Sequence, residues 1–95
     1  MDYSISKDYL REHTAKHREL RIREAVHKIR EAIVRAAEKG KPELIVNIVE
    51  RESMMIHIMQ ERLEKDIANE VYMQLQSILG DIEHTMVDRL IIFRW

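Results

Sequence analysis

Apolar side chains recur at helical spacing through the first half of the chain. At about 100° per residue, seven of them share one arc of a helix: Ile22, Ala25, Val26, Ile29, Ala32, Ile33 and Ala36. Ser4 or Ser6 can cap the start of this helix, because a serine hydroxyl accepts from the free backbone N–H groups of a first turn. Gly40 suits the position after its end, and Pro42 blocks continuation. The pattern predicts one long helix over residues 7–39.

The apolar stripe changes face near residue 20. Toward the N-terminus, the positions where the core stripe would continue carry Arg and Glu. Leu10, His13, His17 and Leu20 instead form a stripe on nearly the opposite face. Either the helix breaks near residue 20, or its first part leaves the core and contacts something else. Residues 7–20 are called the arm below.

The second half of the chain predicts strands around one helix. Four of the six residues in Leu44–Val49 are β-branched, which is typical of a buried strand. Met54–Leu79 has a helical apolar face that ends at Gly80, and Ser53 can cap its start. Residues 82–86 alternate and Leu90–Trp95 is rich in β formers, so two short strands should turn near residues 87–89.

These elements predict a single α+β domain over residues 1–95 with the order α-β-α-β-β. The two long helices should pack together on a small sheet. The alternative is an all-α helical bundle, because residues 45–59 and 82–93 also fit a helical repeat. That alternative requires one helix of about 37 residues, whereas the average is about 11–12.

Charge divides the chain into two unequal parts. Residues 1–41 carry a net charge of +4 and residues 42–95 a net charge of −5, within a total of −1. Six cations flank the core stripe of the first helix at seven-residue intervals: Lys16, Arg23 and Arg30 on one side, and Arg21, Lys28 and Arg35 on the other. Such cations could contact phosphates, and nucleic-acid binding is the alternative function. Interleaved glutamates favour solvated or ion-paired side chains instead.

The chain contains no pattern typical of an enzyme. His13 and His17 have the i, i+4 spacing of two zinc ligands, but three ligands are the usual minimum and no third is evident. No serine lies in a nucleophile-elbow sequence, and the acidic residues of the C-terminal part are dispersed. We therefore expect no catalytic residue, no metal and no cofactor. Because imidazole changes charge between pH 5 and 8, the histidine pair could make an interface sensitive to pH.

Several side chains are candidates for contacts with a protein partner. Met55 and Met73 point away from the apolar face of the second predicted helix, and methionine suits adaptable contacts. Trp95 would be core in a central strand, whereas on an edge strand it would invite pairing with another chain. The predicted interface is therefore the arm residues Leu10, His13, His17 and Leu20, together with these three.

From Ala36 to Lys41 and onward, the chain resembles small α+β proteins encoded by large nucleocytoplasmic DNA viruses. In these proteins a helix ends at a glycine, and a strand, a second helix and strands near a tryptophan follow. The corresponding pieces are Gly40, Leu44–Val49, Met54–Leu79 and Leu90–Trp95. The resemblance implies a virion or host-interaction component, and it transfers no catalytic residue.

The expected function is that of a non-enzymatic interaction or assembly domain that self-associates through its first helix. The N-terminal residues lack the apolar stretch of a signal peptide, and no apolar run approaches the roughly 18 residues of a membrane span. With no cysteine in the chain, a cytoplasmic or nuclear location is expected, or a place in a virion. A homo-oligomer or another protein is the expected partner, and a membrane is not.

Overall fold

The structure, a computed structural model, describes residues 6–50 and 61–95. Its elements in chain order are α1 (Lys7–Glu38), β1 (Glu43–Val49), β2 (Arg62–Glu64), α2 (Lys65–Gln76), β3 (Glu83–Val87) and β4 (Leu90–Arg94). The four strands form one mixed sheet in the order β2-β1-β4-β3. The predicted α+β class is confirmed, and the all-helical alternative is wrong.

Helix α1 is continuous from Lys7 to Glu38, so no break occurs near residue 20. The Ser6 hydroxyl accepts from the backbone N–H of Tyr9 at 3.1 Å, which caps the first turn. At the other end Gly40 has φ +78°, and the N–H of Lys41 donates to the carbonyl of Ala36 at 2.9 Å. The left-handed glycine lets the chain reverse into β1.

The sheet combines one parallel pair with two antiparallel pairs. Strand β1 runs parallel to β2 and antiparallel to β4, and β3 is antiparallel to β4. A two-residue turn, Asp88-Arg89, joins β3 to β4. Neither turn residue has a positive φ, so this hairpin does not need the Asn-Gly or Asp-Gly pair that marks many tight turns.

Both helices pack on the same face of the sheet. The predicted stripe of α1 supplies Ile22, Ile29 and Ile33 to the core. Helix α2 adds Ile67, Ala68, Val71 and Leu75, and the sheet adds Val46, Ile91 and Phe93. Val46 and Ile91 are paired across β1 and β4, and both are completely buried. The predicted core face of each helix is therefore confirmed from residue 22 onward for α1 and from residue 67 to 75 for α2.

The second helix is shorter than the prediction. Residues 62–64 were expected to be helical, but they form β2 and pair with Asn47–Val49 of β1. Asn47 strengthens this pairing, because its backbone N–H and its side-chain Nδ2 both donate to the carbonyl of Glu61, at 2.9 and 3.2 Å. Leu63 is buried as predicted, but as a strand residue. The expected start of the helix at Met54 and the Ser53 cap lie outside the described residues.

The end of α2 also differs from the prediction. Ile78 was expected on the core face, but it is 51% exposed, and Leu79 takes the core position. The helix ends at Gln76 and a turn follows, which changes the direction of the side chains after it. Gly80, with φ +59°, then directs the chain toward β3.

Candidate protein interface

The arm lies outside the core of the domain. Every residue from Lys7 to Leu20 is exposed except Arg18, which is half-buried. Leu10 is 51% exposed and Leu20 is 48% exposed, on the face of α1 that also carries His13 and His17. The Cα radius of gyration is 16.2 Å, against about 12 Å for a compact chain of this length. The arm thus presents two large apolar side chains and two imidazoles to solvent.

A longer exposed row runs along the outside of α1. Its members are spaced alternately four and three residues apart, the spacing of a coiled-coil seam. All eight are exposed, and together they form the outer seam: Tyr9, His13, Lys16, Leu20, Arg23, His27, Arg30 and Val34. The rings of Tyr9 and His13 lie 4.4 Å apart, and Val34 is 51% exposed. The outer seam faces away from the buried stripe along the whole length of the helix.

Charged side chains lie on and beside the outer seam in the second half of α1. Arg23 and Arg30 belong to the seam itself, and neither is paired with a carboxylate of the described residues. Glu24 and Glu31 follow them in the sequence and lie about 100° around the helix. The Nε2 of His27 lies 3.0 Å from a carboxylate oxygen of Glu31. The second half of the seam therefore contains cations, and carboxylates lie along one side of it.

Two arginines attach α1 to the start of α2 where the arm meets the domain. Arg21 donates from Nη1 and Nη2 to the two carboxylate oxygens of Asp66, at 2.9 and 3.0 Å, and also pairs with Glu64. Arg18 donates from Nη2 to the backbone carbonyl of Asp66 at 3.0 Å and pairs with Glu70 at 2.9 Å. These five residues are called the ionic junction.

The ionic junction shifts the ionisation of two of its members. The pKa of Arg21 is raised, mainly by its hydrogen bonds to Asp66, so its charge is held more firmly. The pKa of Glu70 is lowered, mainly because Arg18 donates a hydrogen bond to its carboxylate. Both shifts favour the charged forms that hold α1 against α2.

The other predicted interface residues lie away from the arm. Met73 is 68% exposed on α2. Trp95 is half exposed just beyond β4, and its backbone N–H donates to the carbonyl of Pro42 at 3.1 Å. Because β4 lies between β1 and β3, Trp95 does not follow an edge strand. Met55 lies outside the described residues, so the structure brings together only the four predicted residues of the arm.

The six cations proposed for nucleic-acid contacts form two separate rows. Arg21 is occupied in the ionic junction, and Lys16 pairs with Glu12 at 3.1 Å. Arg21, Lys28 and Arg35 line a groove of about 1130 Å³ between α1 and the β1–β2 edge of the sheet. The groove also carries carboxylates, among them Glu43 and Glu61. Neither wall of the groove is uniformly basic.

Among residues 6–50 and 61–95, no three or more His, Asp or Glu side chains cluster in a way that could hold a metal ion. His13 and His17 therefore lack a third ligand in the described part of the chain. No helix of the described residues is both long and apolar enough to cross a membrane.

Two features of this surface were missed by reasoning from the sequence. Tyr9, His27 and Val34 extend the arm stripe into the outer seam, and their four–three spacing was a usable signal that the charged residues between them obscured. The acidic members of the ionic junction left no such signal, because they contact α1 across 43 to 52 residues of sequence.

No family model, no curated protein and no solved structure matches this chain.

Proposed function

We propose that this protein is a non-enzymatic interaction or assembly domain that self-associates through the arm of α1. The observation that carries the proposal is the exposure of Leu10 and Leu20 on one face of α1, in the part of the helix that lies outside the core of the described residues. Fully burying a leucine side chain contributes roughly 1.5–3 kcal/mol. A partner that covers this face would therefore gain substantial stabilisation from two leucines alone.

The low burial of the arm also favours a docked partner. The arm is continuous with the packed part of α1, but most helical stability in proteins comes from the packing of an amphipathic face. Within the arm, Arg18 alone is partly buried. A partner packed along the arm would add tertiary contacts to turns that are exposed among the described residues.

A second copy of the chain is the simplest partner. Two-fold homo-oligomers are the commonest soluble assemblies, and each copy would bury the same arm face. A structural or accessory role in a virus rests on the resemblance of residues 36–95 alone, and the self-association proposed here does not depend on it.

Molar mass in solution tests the proposal. By light scattering, the wild-type chain should exceed its monomer mass of 11.4 kDa. The double variant Leu10→Glu/Leu20→Glu should be monomeric while keeping the circular dichroism of the wild type, because both side chains are exposed. A monomeric wild-type protein at high micromolar concentration would refute the proposal.

The matched control places the same charges on other exposed apolar positions. Ile78 and Val87 are 51% and 47% exposed, close to the values of Leu10 and Leu20, but lie far from the arm in sequence and on other elements. The variant Ile78→Glu/Val87→Glu should keep the wild-type mass. Dissociation in this control as well would show that added charge, and not the arm face, controls association.

Nucleic-acid binding by the cations of α1 is the second candidate. Arg23, Arg30, Lys28 and Arg35 are exposed and could contact phosphates. The ion pairs of Lys16 and Arg21 count against a six-cation surface. A gel shift at 50 and 200 mM salt tests this candidate, since binding through several phosphates requires a steep loss of affinity with salt.

A further inference from the structure

We draw no further inference here: the strongest candidate, the apolar patch of Ile45, Val87, Leu90 and Ile92 on the face of the four-stranded sheet opposite the two helices, is an unpartnered sheet face, and nothing in the described part of the structure shows what covers it.

Discussion

Arg21 donates two hydrogen bonds to the carboxylate of Asp66, with N–O distances of 2.9 and 3.0 Å, and so joins α1 to the first turn of α2. Glu64, on the same guanidinium, adds a second carboxylate. The contact lies next to Ile22, the first buried residue of α1. The ionic junction therefore holds α1 against α2 at the point where the arm leaves the core.

Replacing Arg21 should destabilise the fold measurably. The Arg21 side chain is 15% exposed and its pKa is raised by Asp66, and Arg21→Ala removes its hydrogen bonds and ion pairs with Asp66 and Glu64. We expect a loss of roughly 1.5 kcal/mol in the free energy of unfolding, at the lower end of the range for hydrogen bonds to charged groups. Urea denaturation measures it. Arg11→Ala is the control, because Arg11 is exposed and has no carboxylate partner among residues 6–50 and 61–95. Equal losses in the two variants would contradict a role for the ionic junction.

The pKa of Glu70 should depend on Arg18. The hydrogen bond from Arg18 lowers the pKa of Glu70 below its ordinary value of 4.5. The stability that this carboxylate contributes is present above pH 4.5 and is lost as the pH falls through the lowered value. In Arg18→Ala the pKa should return toward 4.5, as measured by an NMR titration of the side-chain carboxyl carbon. If the titration curve of Glu70 is the same in Arg18→Ala and in Arg11→Ala, the ion pair is absent in solution.

Replacing Gly40 should lower the free energy of unfolding because of its backbone conformation alone. Its φ is +78°, and an added Cβ would meet no atom within 4 Å. Gly40→Ala should therefore cost about 1 kcal/mol in the free energy of unfolding, the penalty of left-handed backbone for a residue with a side chain. Gly40→Asn should cost less, because asparagine tolerates this conformation better. Lys39→Ala, at a cap residue with φ −86°, is the control for thermal or urea denaturation, and a stabilised Gly40→Ala would disprove the argument.

Much of the fold could be predicted from local pattern. The burial of the stripe from Ile22 to Ala36 can be predicted from the sequence, because the regular geometry of a helix places residues at this spacing on one face. The β-branched run in Leu44–Val49 and the alternation in residues 82–86 indicate strands for the same reason. The error at residues 62–64 arose because Leu63 fits the helical face that continues into α2, while pairing with β1 decides the conformation instead.

The candidate interface was predictable only in part. Leu10, His13, His17 and Leu20 could be placed on one helix face because they lie within three turns of one element. That the helix is continuous, and that this face therefore projects instead of folding back, depends on packing of the rest of α1 against α2 and the sheet. Met73 and Trp95 were predicted from exposure arguments for single residues, and such arguments do not place residues of different elements on one surface.

By itself, the sequence determined the approximate ends of α1, predicted at residues 7 and 39, the buried stripe of α1, the left-handed glycine after it and the C-terminal hairpin. Each of these depends on interactions between residues near one another in the chain. Only the tertiary structure decided that β2 pairs parallel to β1 and that Arg18 and Arg21 contact the acidic start of α2. It also decided that the outer seam of α1 is exposed along its length, from Tyr9 to Val34. These features depend on contacts between residues far apart in sequence. These contacts stabilise one arrangement only when the whole core is assembled. A local sequence pattern therefore cannot predict them.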